Sequence, residues 1–152
     1  MQDSPQLIRL EVHEDDRGFL SEILREDWGV FPPIKQVYIV GSPLRGTVRA
    51  WHKHEKLWDA FCIVKGRARF YCCKRRDDGT FTEPMEFILS DKCPSVLIVP
   101  PGYFHSWESL SDDCILLSIA SECYNRENPD EERIPYDALE EQFGDLWRIK
   151  FR

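Results

Sequence analysis

Three histidines carry the strongest chemical signal in this chain. His52 and His54 lie one residue apart inside the segment 46–66, GTVRAWHKHEKLWDAFCIVKG, and His105 closes Pro100-Pro101-Gly102-Tyr103-Phe104-His105. Alternate residues of a strand share a face, so His52 and His54 project to one side and Lys53 to the other. A neighbouring strand carrying His105 would complete a polar pocket inside an otherwise apolar barrel. Imidazole titrates near neutrality, which suits a base that abstracts a proton. Joined by Asp59, the same side chains form a set of three nitrogens and one oxygen suited to Fe²⁺, Mn²⁺, Ni²⁺ or Zn²⁺. Arg45, Arg49, Lys53 and Lys56 crowd around the pair, a setting that can hold a small anion.

The elements that must position these residues read as strands. Periodicity is mainly two, and turn signals recur at short intervals. The pattern predicts strands over Leu7 to Val12, Phe19 to Leu24, Ile34 to Val40, Thr47 to His54, Asp59 to Val64 and Ala68 to Lys74. It continues with Thr80 to Leu89, Ser95 to Val99, Ser106 to Glu108 and Cys114 to Ala120. Asp78-Gly79 predicts a type I′ hairpin turn, and Phe31-Pro32-Pro33 and Pro100-Pro101-Gly102 belong to loops. Lys65, Arg67 and Arg69 alternate with apolar residues and predict a solvent-facing basic row. From Pro135 the pattern changes: Asp137 and Glu140 have capping-box spacing, and Leu139, Phe143, Leu146 and Trp147 recur on one side of a short C-terminal helix. The expectation is an all-β antiparallel barrel or jelly roll with that helix packed on it.

Composition sets the outer limits. At 152 residues and 18.0 kDa the chain is expected to form one domain, burying roughly two thirds of its unfolded surface. The six cysteines show no zinc-finger spacing, and Cys72 and Cys73 are adjacent, so reduced and mostly buried thiols are expected. A net charge of −7 argues against a nucleic-acid binder. The first residues lack a basic segment followed by an apolar core, and no apolar run is long enough to cross a bilayer. A cytoplasmic protein without a membrane partner is the expectation.

The residues resemble the cupins, small jelly-roll barrels defined by two motifs. Gly46, His52, His54, Asp59 and Gly66 are similar to the first motif, with aspartate where glutamate is usual. Pro100, Gly102 and His105 are similar to the second. A narrower resemblance, over roughly Leu7 to Leu139, is to the dTDP-4-dehydrorhamnose 3,5-epimerases and their sugar-nucleotide relatives. Asp16-Arg17-Gly18-Phe19-Leu20-Ser21-Glu22 resembles the opening segment that binds the nucleotide, which implies that role for Arg17 and Glu22. Gly46-Thr47-Val48-Arg49-Ala50-Trp51-His52 resembles the element whose arginine contacts substrate and whose histidine is the catalytic base. His105, Lys56 or Arg49 would then support the enolate or the diphosphate. Tyr124 and Asp130-Glu131-Glu132 resemble a later tyrosine and acidic neighbourhood.

Several positions depart from that pattern. The tyrosine that serves the family as acid corresponds to Ser118, the lysine expected before the closing glycine to Asp59, and a glycine to Ala50. The C-terminal aspartate that orients the family's histidine has no counterpart. Double epimerisation at C3 and C5 is therefore not expected. Arg49-Ala50-Trp51-His52-Lys53-His54 also resembles the sugar-nucleotide 3,4-ketoisomerases, whose two histidines shuttle protons, which implies a catalytic role for His54. A single 3-epimerase using Tyr124 or water as acid is the other relative. The resemblance thus implies an isomerase or epimerase of carbohydrate biosynthesis, acting without a cofactor as a homodimer on a nucleotide-linked, dTDP-type 4-keto-6-deoxyhexose. Two alternatives stand beside it: a metal-dependent cupin using His52, His54, Asp59 and His105, and a non-catalytic sugar-binding cupin.

Overall fold

A computed structural model describes residues 1–148. Strands appear in the order β1 Gln6–Arg9, β2 His13–Asp15, β3 Gly18–Leu20, β4 Gln36–Ser42, β5 Val48–Lys53, β6 Asp59–Lys65 and β7 Arg67–Cys73. They continue with β8 Met85–Ser90, β9 Ser95–Val99, β10 Phe104–Ser109, β11 Cys114–Ala120 and β12 Glu132–Arg133. A 3₁₀ turn, Glu26–Trp28, precedes β4, and α1 spans Glu140–Phe143. Two five-stranded sheets, ordered β1-β9-β6-β11-β4 and β12-β5-β10-β7-β8, face each other as a jelly roll, and β2 and β3 form a separate hairpin. All described pairings are antiparallel. No described helix is long and apolar enough to cross a membrane.

Burial explains why these strands hold. Between the sheets lie Phe61, Ile63, Ala68, Phe70, Cys72, Leu97, Val99, Trp107, Cys114 and Leu116, the inward residues of the strands. Their alternation follows from the period of two. The outer face of the first sheet is covered by Ile23, Leu24, Val30 and Phe31, packed on Ala60, Val96, Ile98 and Ile119. The outer face of the second presents Trp51, Tyr71, Cys73 and Phe104, covered by Ile134, Leu139, Phe143, Leu146 and Trp147. The barrel thus owes one wall to the segment after β3 and the other to the chain after β12.

Several sequence expectations need correction. The strand predicted over Thr80 to Leu89 begins at Met85, because Pro84 cannot donate to the ladder; before it, Phe81 makes an isolated bridge to Arg75. The strand predicted over Phe19 to Leu24 stops at Leu20, and the following apolar residues pack on the barrel. The turn at Asp78-Gly79 is not type I′, which needs positive φ at two residues. Only Gly79 of the pair has it, at +85°. Gly79 N donates to Arg76 O at 3.0 Å and Arg76 N to Thr80 O at 2.7 Å, a three-residue loop closed by a left-handed glycine.

The basic row is only partly solvent-facing. Lys65 and Arg67 are exposed, but Arg69 is buried, its guanidinium 3.4 Å from Glu108 Oε2 and donating to Leu146 O at 3.2 Å. It anchors the C-terminal segment. The predicted helix shrinks to α1, with no side-chain cap, since Gly144 ends it after one turn. Its apolar residues still pack as expected. All six cysteines are free thiols, Cys93 and Cys123 exposed and the other four buried.

Candidate functional site

The three histidines converge where the two sheets meet at the end of β5. Opposite β10, β5 carries a bulge: His52 pairs with His105, and Arg49 with Trp107, so three steps on one strand match two on the other. A bulge lets consecutive side chains share a face, and here Ala50 and Trp51 both join the outer cluster. His52 is left facing inward beside His105, with ring centroids 6.1 Å apart. His54 follows just after β5, 5.5 Å from the His105 ring. Asp59 opens β6 in the other sheet, with Oδ2 3.4 Å from His54 Nε2 and 3.6 Å from His105 Nε2. At the far end of β6, Gly66 turns the chain into β7 with φ at +85°, where a Cβ would meet Ser111 Oγ at 2.3 Å.

The acidic run 130–132 fixes this arrangement. Asp130's carboxylate accepts the backbone N–H groups of Glu55, Lys56 and Leu57 at 2.9, 2.9 and 3.0 Å. Burial pushes its pKa up, but these donors outweigh it and hold the carboxyl below its ordinary range. The carbonyl of the same residue accepts from His54 Nδ1. Glu131 Oε1 accepts from His52 Nδ1 at 2.6 Å, and Arg133 Nε holds its other oxygen at 2.8 Å. Glu131's pKa is lowered in spite of burial, by Arg133 and His52. Glu132 bridges Lys53 and Arg75 on the outer side, at 2.7 and 2.6 Å. His105 Nδ1 lies 3.4 Å from Tyr103 O. With each Nδ1 turned to an oxygen, Nε2 is the ring nitrogen that carries the lone pair in the neutral tautomer.

Burial divides the titratable groups. Asp59, 3% exposed, has its pKa raised to about 8, by burial and then by Glu131. His105, 7% exposed, is lowered to about 3, by burial and then by its two histidine neighbours. Near neutral pH both are uncharged. From ordinary values of 3.8 and 6.5, Asp59 costs stability as pH rises toward 8, and His105 costs stability as pH falls toward 3. Between about 4 and 6.5 the two slopes cancel; above 6.5 Asp59 acts alone. The metal-free protein is therefore expected to lose about 2 kcal/mol from this residue between pH 6.5 and 8, and Asp59→Asn to remove that decline in urea titrations. An unchanged slope in the variant contradicts the assignment.

Other sequence candidates fall differently. Arg49 is exposed and pairs across β5 and β10 with Trp107, three residues before His52. Lys56 is exposed in the loop that Asp130 clamps. Arg17 pairs with Asp15, and Glu22 with Arg25 at 2.9 Å, on and after a hairpin whose strands pair only with each other; the structure does not bring them to the histidines. Tyr124 is 56% exposed, its backbone N bonded to Gln36 Oε1 at 2.7 Å. Of the predicted metal set, His54, Asp59 and His105 place donor atoms within 4.8 Å of one another, and His52 lies outside that cluster.

Sequence reasoning quoted Glu131 only within the acidic run 130–132, with no role, and missed Tyr38. Glu131 supplies the carboxylate for which no counterpart was found, and its signal was the acidic run itself. Tyr38 on β4 pairs with Ser118 on β11, which pairs with Phe61 on β6. Val40, two residues on, packs on the inner core, so Tyr38 faces the pocket side.

Comparison with known proteins identifies the family and the fold. Residues 13–132 match the family described as the polysaccharide biosynthesis C-terminal domain. The probable low-salt glycan biosynthesis epimerase Agl13 of Haloferax volcanii is 34% identical over 131 residues, 84% of each chain. This chain belongs to the sugar-nucleotide cupins, the family of dTDP-sugar epimerases and 3,4-ketoisomerases. Among solved relatives, the sugar 3,4-ketoisomerase QdtA of Thermoanaerobacterium thermosaccharolyticum, in complex with TDP, is 26% identical with a TM-score of 0.71, covering 93% of this chain and 96% of that one. The 3′-monoepimerase ChmJ of Streptomyces bikiniensis, in complex with dTDP-quinovose, shares the fold: TM-score 0.81, 22% identity, 95% and 75% covered. This cupin therefore places its histidine pocket on the scaffold common to both reaction types.

Proposed function

We propose that this cupin moves a proton beside the ketone of a nucleotide-linked 4-keto-6-deoxyhexose carried on a dTDP-type diphosphate. The observation that carries the reading is the His52–Glu131 pair. An imidazole whose Nδ1–H is held at 2.6 Å by a half-buried carboxylate presents Nε2 as a base of fixed tautomer and direction. The α-proton of a ketone is the substrate such a base needs, because the resulting enolate is stabilised by donors or cations near its oxygen. Arg49, exposed on the same strand as His52, can meet the diphosphate bidentately. The test is incubation with dTDP-4-keto-6-deoxyglucose, followed by proton NMR. A C3 epimer or a 3-keto isomer supports the reading, and unchanged substrate contradicts it.

A second reading has its own observation, the convergence of His54, Asp59 and His105. The donor set fits a divalent cation: two imidazoles, with Nδ1 facing backbone carbonyls as metal-bound histidines commonly have, and one carboxylate. A metal there would polarise a substrate carbonyl. His52 would still be the base.

The same family reading carries a homodimer. β4 is the edge of its sheet, and its outward Val37 and Ile39 are 54% and 68% exposed. Phe19 on the free hairpin is 73% exposed. A second copy with its own hairpin offers both surfaces a partner. Sedimentation should show a dimer, and Ile39→Lys should weaken it at least about tenfold. A wild-type monomer at micromolar concentration contradicts it.

A further inference from the structure

We propose that Tyr38 is the proton donor that completes the reaction, delivering its phenolic hydrogen to the substrate carbon on the face opposite His52. This rests on the proton-transfer function above and adds the acid that the sequence lacks at Ser118. His52 stands on β5 in one sheet, and Tyr38 on β4 in the other. Both face the space between the sheets, so a sugar ring lying there meets imidazole on one side and phenol on the other. Inversion at a carbon requires that disposition: one group takes the proton, and a second returns it from the far face.

Ser118, in register with Tyr38 across β11 and β4, cannot do this, since an alkyl hydroxyl does not give up its proton near neutral pH. Its Oγ is fully enclosed. Beside it, in register, comes Tyr38. The phenol is therefore supplied from the neighbouring strand rather than from β11. Tyr38 is 43% exposed, so its side chain is accessible to a ligand from solvent. Burial raises its pKa, Ser118 lowers it, and Asp59 and Glu131 raise it further, so the phenol stays protonated until it is used. Tyr124 is more exposed and follows β11 on the chain.

The step balances without a co-reactant. His52 Nε2 takes the hydrogen from the carbon beside the ketone, and the C–H electrons form the enolate. The enolate carbon then takes the Tyr38 proton, leaving a phenolate. Water reprotonates the phenolate, and His52 returns its proton to water.

The test is Tyr38→Phe, compared with wild type on dTDP-4-keto-6-deoxyglucose in D₂O, with folding checked by thermal melting. Exchange of the hydrogen beside the ketone needs only the base. The variant is expected to keep exchange within about threefold while losing inverted product at least about a hundredfold. Inversion at the wild-type rate overturns the proposal. Loss of exchange and inversion together, in a folded variant, also overturns it, assigning Tyr38 to binding. Loss of inversion in Tyr124→Phe but not in Tyr38→Phe moves the role to Tyr124. A wild-type protein with no exchange overturns the function itself, and this proposal with it; a wild-type protein that exchanges but gives only a 3-keto isomer with no inverted carbon overturns this proposal alone.

Discussion

His52→Asn is expected to lower solvent-deuterium incorporation into a 4-keto-6-deoxyhexose nucleotide by at least about a thousandfold, the upper part of the range for removing a general base. Asparagine keeps an amide N–H that can reach Glu131, so the acidic run and the β5–β12 pairing stay in place. Only the Nε2 lone pair is lost. Glu131→Gln is expected to cost less, about tenfold to a hundredfold, because the imidazole remains but its tautomer is no longer held by a charged acceptor 2.6 Å away. The ordering discriminates between roles: a base is irreplaceable, and an orienting carboxylate can be partly replaced by its amide. Equal activity of His52→Asn and wild type would remove His52 from the chemistry.

Trp51→Ala is expected to destabilise the fold by about 3–5 kcal/mol, the usual cost of truncating a fully buried tryptophan. Trp51 is 0% exposed and lies 5.7 Å from Trp147. Both indoles donate to Tyr136 O, at 3.2 and 3.3 Å. Two further backbone bonds, Trp51 N to Ile134 O at 3.2 Å and Ile134 N to Trp51 O at 3.3 Å, tie β5 to the chain after β12. That chain carries Glu131, so the loss spreads to the site: a loosened C-terminal segment no longer holds the carboxylate against His52. Urea titration followed by circular dichroism checks the first effect. A shift under about 1 kcal/mol would show that the segment is not fastened through this residue. Activity measured well below the unfolding midpoint reads the second.

The strands that hold the site were legible as short apolar and β-branched runs bounded by turn residues, although most are buried on both faces. Cys114–Ala120 and Ser95–Val99 match their predicted bounds. His52, His54, Asp59 and His105 were legible from spacing on those strands. Their division of labour was not. Spacing cannot show that His52 turns Nδ1 to Glu131, because that bond spans 79 residues and depends on how the chain after β11 returns to β5. Tyr38 stayed hidden for a related reason: its strand was expected, but its place beside Ser118 is a matter of register between strands far apart in sequence. The type I′ expectation at Asp78-Gly79 failed because Asp-Gly also suits a longer loop needing one left-handed residue. Asp78 Oδ1 caps that loop by accepting from Thr80 N at 2.9 Å. Arg69 was misplaced because alternation marks a face, and only the distant C-terminal segment decides whether that face meets solvent.

The central claim is that the histidine pocket abstracts a proton beside a sugar ketone through His52, without a metal. The most direct test is to dialyse untagged protein against a chelator, verify by elemental analysis that no divalent metal remains, and follow dTDP-4-keto-6-deoxyglucose in D₂O by NMR. Deuterium at a carbon adjoining the ketone, at the rate of undialysed protein, is the predicted result. Incorporation that disappears with the metal and returns when Zn²⁺, Mn²⁺, Ni²⁺ or Fe²⁺ is restored would contradict it and pass the site to the His54–Asp59–His105 cluster.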